Sequence, residues 1–205
     1  MEKFIIDDYE VLFDKDNHQY YVDGHLVASV SQIVREMLKA PYKNVDPEIL
    51  KKAALKGTEL HDMIEQYEVN GIKTYHHEMQ SYITLKRQHQ FEVKESETIV
   101  LIRHHGAIIA AGRFDMVVES PYLSGLGIVD IKRMAHLKEE HLKLQLNLYK
   151  LGYEQTYKKR ISYLKCAHIR NRYHQYVDVP IDQDYLQSML DKYVEAHPID
   201  YTKLI

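Results

Sequence analysis

The sequence predicts a mixed α/β fold in a single domain, with a central mixed β-sheet flanked by helices. Its 205 residues suit one domain, at roughly 150 residues per domain. Hydrophobic residues make up 45% of the chain and charged residues 28%, which is ordinary globular composition. The predicted elements run as helices, a strand meander, and then helix–strand–strand–helix. This order excludes a regular βαβ repeat.

The first 45 residues predict a hairpin and a short helix, which we interpret as an elaboration on the core. Residues 18–28 are β-prone on both sides of Asp23-Gly24, a strong two-residue turn signal. Ser29 or Ser31 can cap the helix that follows, and Ala40-Pro41 is predicted to end it.

Two longer helices are predicted to open the core, which we place at residues 46–180. Pro47 suits the first turn of a helix, because its missing N–H costs nothing there. That helix extends to about Val69, with apolar residues at helical spacing from Leu60, and Asn70-Gly71 closes it. The second helix covers roughly residues 75–90.

Short β-prone segments separated by turn residues predict the strand meander. Gly106, Gly112 and the stretch 121–127 separate its first four strands. A helix at about 137–157 follows, then two strands, and an amphipathic helix lies within the C-terminal segment 181–205. The predicted strands are Thr98–Arg103, Ala107–Ala111, Phe114–Glu119, Leu126–Lys132, Ile161–Ile169 and His174–Val179.

Composition and charge exclude several classes of protein. The single cysteine excludes an internal disulfide framework and a four-cysteine zinc or iron–sulfur site. The purest apolar runs are too short to cross a bilayer and the N-terminus has no signal-peptide character, so we expect a cytoplasmic protein. A net charge of −3 argues against a passive nucleic-acid coat protein. It allows a nucleic-acid enzyme, in which clustered carboxylates hold cations.

Three charged residues predict a cation site at the ends of interior strands. Asp130 and Lys132 share one face of an apolar strand, and Asp115 lies on the strand before it. Buried charges are costly unless they are paired or bind a metal. Two carboxylates suit Mg²⁺ or Mn²⁺, and a lysine beside them can orient or deprotonate a water or stabilise a phosphate. The alternative is a buried Asp–Lys ion pair without a metal.

His61 is a candidate metal ligand on the first long helix. It lies one turn after Gly57 and one turn before Glu65. A helical glycine costs ~1 kcal/mol relative to alanine, so Gly57 indicates room for a ligand or another backbone beside His61. Glu65 is then placed to orient the imidazole. The alternative is a surface His–Glu pair on a polar helix face.

Gln145 and Tyr149 share one face of the later helix. The adjacent apolar stripe is formed by Leu144, Leu148 and Leu151 and must cover the sheet. We therefore expect Gln145 and Tyr149 to overhang the strand ends that carry the two aspartates. The alternative is a tyrosine packed at the margin of the core, with the glutamine as its partner.

Together these motifs resemble the RecB-type branch of the PD-(D/E)xK nuclease superfamily, which also includes phage lambda-type exonucleases. In chain order they are Gly57-Thr58-x-x-His61, Gly112-x-x-Asp115, Asp130-x-Lys132 and Gln145-x-x-x-Tyr149. Residues 20–24 and 29–33 resemble compact phage and prophage members. The resemblance covers residues 18–157 and implies a restriction-endonuclease-like sheet.

The resemblance assigns the metal and catalytic roles residue by residue. The matches to metal ligands are His61, Asp115, Asp130 and the carbonyl of Ile131, and Lys132 matches the catalytic lysine. The implied cofactor is Mg²⁺ or Mn²⁺, as one or two ions. Branches with an iron–sulfur cluster have four cysteines, so the single cysteine here implies no such cluster.

Further residues match positions near DNA. Gln145 and Tyr149 match a helix that lines the site and contacts DNA, and Glu97 and Thr58 match auxiliary positions. Arg133 stands where the family often has a small hydroxyl residue, and it keeps positive charge near the phosphates. Lys138 and Lys143 are further candidates for phosphate contact, and one or two tyrosines for base stacking.

The implied function is a divalent-metal-dependent deoxyribonuclease, in the first place an exonuclease in recombination, repair or phage DNA processing. The alternatives are a structure-specific endonuclease or nickase, and a non-catalytic DNA- or protein-binding module on the same fold. The implied partner is DNA. A further protein partner, either a single-strand annealing protein or a recombinase, is left open, and so is the formation of a homo-oligomer. No membrane partner is expected, and the implied location is the cytoplasm of a bacterium or phage-infected cell.

Overall fold

The computed structural model describes residues 1–38 and 46–198. These residues form one nine-stranded sheet with helices on both faces, which confirms the predicted mixed α/β fold. In chain order the elements are β1 (Glu2–Ile6), β2 (Tyr9–Asp14), β3 (Gln19–Val22), β4 (His25–Ser29), α1 (Val30–Met37), α2 (Pro47–Asn70), α3 (His77–His89), β5 (Glu92–His104), β6 (Ala107–Ser120), β7 (Leu123–Lys132), α4 (Glu139–Tyr157), β8 (Ile161–Arg170), β9 (Tyr173–Val179) and α5 (Gln183–Ala196).

The sheet is mixed because two of its strand pairs are parallel. The strand order is β1-β2-β3-β4-β6-β7-β8-β9, and β5 pairs with β6 outside this path. β4 is parallel to β6 and β7 is parallel to β8, whereas the other pairs are antiparallel. The carboxyl ends of β7 and β8 therefore meet at the same edge of the sheet.

Gly112 lies inside the long strand β6, where the sequence predicted a break between two strands, so that prediction was wrong. A Cβ on Gly112 would lie 2.7 Å from Cγ2 of Val30 and 2.8 Å from Cε1 of Tyr149. The glycine is therefore needed because α1 and α4 pack directly onto this strand. β5 and β7 also begin earlier than predicted, at Glu92 and Leu123.

Strands β1 to β4 form the N-terminal part of the sheet through three consecutive hairpins, and the sequence predicted only the last of them. In the β3–β4 hairpin, Asp23 and Gly24 form the expected turn with φ of 46° and 80°. In the β1–β2 hairpin, Asp7 and Asp8 adopt φ of 50° and 71°. Such turns usually contain glycine, so Asp-Asp gave no recognisable signal.

The predicted helix starts are confirmed. Ser29 caps α1, because its Oγ accepts a hydrogen bond from Gln32 N at 3.1 Å and its own N–H donates to Gln32 Oε1 at 2.7 Å. Pro47 is the first residue of α2, and Gly71 ends that helix with φ of 67°. The predicted end of α1 at Ala40-Pro41 lies outside the described residues. The predicted C-terminal amphipathic helix is α5.

Two hydrophobic cores lie on opposite faces of the sheet. Helices α1, α4 and α5 cover one face, and α2 and α3 cover the other. Successive residues of β7 alternate between them, with Ile128 in the first core and Val129 and Ile131 in the second. A third core packs beneath the N-terminal hairpins. Within the described part of the chain, no helix is long and apolar enough to span a membrane.

We expect Gly112→Ala to lower the free energy of unfolding by about 1–3 kcal/mol, because the added methyl group meets Val30 and Tyr149. Gly57→Ala is the matched control, since an added Cβ there meets no described heavy atom within 4 Å. In mid-helix that change should stabilise the protein by up to about 1 kcal/mol. Urea unfolding of both variants measures the difference, and effects of the same sign would contradict the packing role of Gly112.

Candidate active site

Asp115 lies at a fork in the sheet, where β6 changes its neighbour. β6 pairs with β4 at Ala110 and Ala111, and with β7 from Met116 onward. Asp115 falls between these two ladders. Its Oδ2 accepts a hydrogen bond from the backbone N–H of Ile131 at 2.5 Å. The carboxylate thus takes the place of a ladder partner for β7 and is held firmly at the fork.

Three acidic residues form a row across β5, β6 and β7. The pairs Ser96–Met116 and Thr98–Phe114 flank Glu97 and Asp115, so these two residues oppose each other. Asp130 follows Val129, the partner of Met116, and therefore comes next in the row. The sequence predicted the two aspartates from their strands. It placed Glu97 before the first core strand, whereas the structure puts it inside β5.

His61 reaches this row from α2 and contacts two of the predicted ligand groups. Its Nδ1 lies 3.0 Å from Asp115 Oδ1, and its Nε2 lies 3.1 Å from the carbonyl oxygen of Ile131. Burial disfavours the charged ring, but the Asp115 carboxylate outweighs that effect and raises the pKa of His61 to about 9. The ring is therefore an imidazolium that donates to both oxygens when no metal is bound.

Asp130 is buried and paired with Lys132. Its Oδ2 lies 2.6 Å from Lys132 Nζ. Burial and the nearby Asp115 carboxylate raise the pKa of Asp130 despite this ammonium group. Burial acts against the charged form of Asp115 as well, but His61 and Lys132 overcome it and lower the pKa of Asp115. Burial opposes the charge on Lys132, yet the two aspartates raise its pKa, so Lys132 is protonated.

Arg113 pairs with the acidic residues on one side of the site and was not among the residues predicted from the sequence. Its Nε lies 2.5 Å from Glu97 Oε2, its Nη1 lies 3.1 Å from Glu2 Oε2 and its Nη2 lies 3.8 Å from Glu65 Oε1. Burial, together with the Asp115 charge, still raises the pKa of Glu97 to about 7. The one available signal was alternation, which puts Arg113 two residues before Asp115 on the same strand face.

The neighbours of His61 on α2 differ from the prediction. Asp115, rather than Glu65, contacts the imidazole, and the Glu65 carboxylate is directed towards Arg113. Gly57 makes no close approach, because a Cβ there would meet no described heavy atom within 4 Å. Thr58 is exposed, and its hydroxyl donates to the carbonyl of Ala54 at 3.3 Å. Of the two occupants predicted beside Gly57, another backbone is therefore not found among the described residues, and room for a ligand stays a prediction.

The donor atoms of His61, Glu97 and Asp115 lie within 4.8 Å of one another. One imidazole and two carboxylates, with the Ile131 carbonyl beside them, form a donor set that suits Mn²⁺ or Mg²⁺. The Asp130 carboxylate borders this group but is held by Lys132. Because Glu97 has a pKa near 7 and His61 carries a proton, a bound cation would replace protons already held there.

Gln145 and Tyr149 lie on α4, on the sheet face that carries Asp130. Gln145 Nε2 donates to the Tyr149 hydroxyl at 3.3 Å, and Tyr149 also bonds to Ser31. Burial and the nearby Asp130 carboxylate raise the pKa of Tyr149. The Tyr149 ring is buried, with 4% of its surface exposed. Leu144 and Leu148 are buried against the sheet, and Tyr149 packs in the same core with Gln145 as its partner, as in the alternative interpretation. A role of this helix face in the site stays a prediction.

The predicted phosphate-binding cations are placed very differently from one another. Arg133 points to the opposite face, where its Nε donates to the buried Glu78 at 2.8 Å. Lys143 is paired with Asp182, the N-cap of α5, at 2.7 Å. Lys138 lines a groove of about 320 Å³ between α1 and α4. This groove also contains Lys132, Arg35, His141 and Gln145 and so opens directly from the site.

The comparisons with known proteins leave the family undetermined. Neither the protein-family models nor the curated proteins give a match. A solved structure described as "Crystal structure of SSO0001" is similar, with a TM-score of 0.46 and 16% identity over 83% of this chain and 76% of that chain. A likeness of this size carries no argument about function.

The Glu78–Arg133 pair predicts a measurable loss of stability in acid. Burial opposes the Glu78 charge, but Arg133 and the Asn171 amide lower its pKa below the usual value of 4.5. The pair therefore stabilises the fold above pH 4.5, and this contribution is lost as the pH falls through the lower folded-state pKa. We expect the stability gap between wild type and Glu78→Gln to shrink below pH 4.5 in urea titrations.

Glu92→Gln is the matched control for that experiment. Glu92 lies on the surface of β5 and pairs with Lys94 at 3.0 Å, an exposed ion pair of the kind that contributes little. Its stability should stay within about 0.5 kcal/mol of wild type at every pH tested. A gap for Glu78→Gln that does not change with pH would contradict the assignment of this buried pair.

Proposed function

We propose that this chain is a divalent-metal-dependent deoxyribonuclease of the PD-(D/E)xK type, on a restriction-endonuclease-like core, and that it acts as an exonuclease. The observation that carries the proposal is the row Glu97, Asp115 and Asp130, with Lys132 paired to its last member. A plain structural ion pair would need only Asp130 and Lys132. The extra carboxylates and His61 around Asp115 add buried charge that a cation site explains.

The residues that would hold Mg²⁺ or Mn²⁺ are His61, Asp115, Glu97, Asp130 and the carbonyl of Ile131. When bound, such an ion supplies Lewis-acid activation of the phosphate and of the attacking water. The imidazole is a softer ligand than a carboxylate, so Mn²⁺ should support activity at least as well as Mg²⁺. His61 must release its proton to become a ligand, because a protonated ring has no free electron pair.

Lys132 would act as a fixed positive charge rather than as a base. Its pKa is raised by Asp130 and Asp115, so its ammonium group is retained at neutral pH. A cation held in place before the reaction stabilises the negative charge that develops on the phosphate. Asp130 keeps this ammonium 2.6 Å from its own carboxylate and thereby sets its position.

DNA would approach along the groove between α1 and α4. Arg35, Lys132 and Lys138 line it, and Gln145 adds an amide that can donate to a phosphate oxygen. The groove supports local contact with DNA in a chain whose net charge is −3. The same proposal includes a recombinase or annealing protein as partner and a homo-oligomer. It also includes a cytoplasmic location in a bacterial or phage-infected cell.

We expect Asp130→Asn and Lys132→Gln each to lower DNA cleavage by roughly 10²–10³-fold or more. The control is Lys165→Gln, which removes another buried lysine, paired with Asp178 at 2.5 Å. Lys165 pairs in register with Val129 and stacks over Tyr176, away from the site. It should change stability but not activity per folded molecule.

The measurement is cleavage of end-labelled linear DNA and of closed circular DNA, with Mg²⁺, Mn²⁺ or EDTA. An exonuclease degrades only the linear substrate, whereas nicking of the circle would indicate an endonuclease. Wild-type activity in EDTA, or near-wild-type activity of either site variant, would rule out the assigned site.

Glu97→Gln should raise the Mn²⁺ concentration needed for half-maximal cleavage by about tenfold or more, because one oxygen donor loses its charge. Glu95→Gln is the matched control two residues earlier on β5. Glu95 bonds to Tyr153 and Lys159 on the other side of the strand and should not affect the metal requirement. Identical Mn²⁺ curves for wild type and Glu97→Gln would exclude Glu97 from the metal site.

A further inference from the structure

The β8–β9 hairpin stands beside the site and carries two arginines and a tyrosine near its turn. Lys132 pairs in parallel register with His168, so the end of β8 lies next to the catalytic strand. β8 then continues to Arg170, and Asn171 and Arg172 form the turn before Tyr173. The hairpin therefore extends past the strand end that presents Lys132.

Tyr173 presents a fixed aromatic ring to solvent. Its side chain is 52% exposed. Its hydroxyl donates to Gln175 Oε1 at 2.6 Å, and its ring meets that of His168 edge-on with centroids 5.3 Å apart. His168 is itself held by the Met134 carbonyl, 2.8 Å from its Nε2. An exposed ring that is already ordered can stack on a ligand with little loss of entropy.

The turn of the hairpin is hydrogen-bonded to the protein beneath it, whereas its two arginines are in no ion pair with the described residues. The Asn171 amide donates to the buried Glu78 carboxylate at 2.5 Å. Arg170 and Arg172 are exposed, and neither has an ion-pair partner within residues 1–38 and 46–198. Two exposed guanidinium groups on a rigid turn, one on each side of Asn171, are suited to phosphate contacts.

A groove of about 600 Å³ connects this hairpin with the site. His136, Glu139, His168, Arg170, Tyr173 and Gln175 are among its lining residues. Met134 and Leu137 line both this groove and the groove that contains Lys132, so the two grooves adjoin. Among the described residues that line this groove, Glu139 is the one carboxylate, and Arg170 and the neighbouring Arg172 outnumber it.

We propose that the β8–β9 hairpin binds an unpaired nucleic-acid strand beside the active site, with Tyr173 stacked on a base and Arg170 and Arg172 on phosphates. The occupant is single-stranded because a duplex keeps its bases stacked on each other, whereas an exposed ring needs a free base face. This inference rests on the proposed nuclease function and adds that the substrate presents a single strand at this groove.

The test is equilibrium binding of fluorescein-labelled dT20 and of a 20-base-pair duplex, followed by anisotropy in EDTA so that no divalent ion supports hydrolysis. We expect Tyr173→Ala to weaken dT20 binding roughly tenfold or more and Tyr173→Phe to preserve it, since phenylalanine still stacks. Arg172→Gln should reduce the slope of log K against log salt concentration by about 0.7.

The controls lie at the opposite edge of the sheet from the β8–β9 turn. Tyr122→Ala removes a 65% exposed tyrosine at the β6–β7 turn, and Arg160→Gln removes an exposed arginine just before β8. Both should bind dT20 as wild type does. The proposal would be overturned by equal losses of dT20 affinity in the hairpin and control variants, or by no loss in Tyr173→Ala. It would also be overturned if wild type bound the duplex more tightly than dT20, or did not bind dT20.

The dT20 binding experiment tests only the hairpin. The nuclease proposal is tested separately, by the metal-dependent cleavage assay. Cleavage by wild type together with unchanged dT20 binding in Tyr173→Ala would reject the hairpin and leave the nuclease intact. Loss of dT20 binding in Tyr173→Ala, without cleavage by wild type under any metal, would retain the hairpin as a binding site and reject the catalytic assignment.

Discussion

The Asp115 carboxylate connects the helix and strands that form the candidate site. It lies where β6 leaves β7, accepts a hydrogen bond from the Ile131 amide that would otherwise lack a ladder partner, and accepts another from the His61 ring. A buried carboxylate requires such partners, because burial without them is strongly unfavourable. By meeting this requirement, Asp115 joins α2, β6 and β7 at one point, and the other site residues are arranged around it.

Each acidic residue of the row has its own cation. Asp115 is paired with His61, Asp130 with Lys132 and Glu97 with Arg113. These cations do not fully offset the cost of burying the negative charges, since Asp130 has a raised pKa and Glu97 has a pKa near 7. At neutral pH, His61 and Glu97 therefore hold their protons more tightly than an isolated imidazole and an isolated carboxyl group would. A divalent cation bound at this candidate site would replace these protons, and its affinity would therefore depend on pH.

The N-terminal strands contribute to this balance of charge. Glu2 on β1 reaches Arg113, and Arg113 lies over the ring of Phe13 on β2. The first hairpin is thus connected to the acidic side of the site. On the opposite side of β7, Glu78 connects Arg133 with the β8–β9 turn. One carboxylate therefore supports both the end of β7 and the neighbouring hairpin.

The sequence by itself determined the helix starts at Ser29 and Pro47, the Asp23-Gly24 turn, and the strand that carries Asp130 and Lys132. These features depend on local caps, turn residues and alternation, which a sequence displays directly. Only the tertiary structure decided that Gly112 lies within a strand, that Asp115 rather than Glu65 contacts His61, and that Arg113 joins three carboxylates. It also decided that Arg133 faces away from Lys132. Each of these depends on which strands become neighbours and on which face a helix packs, and contacts between distant segments leave no local pattern in the chain.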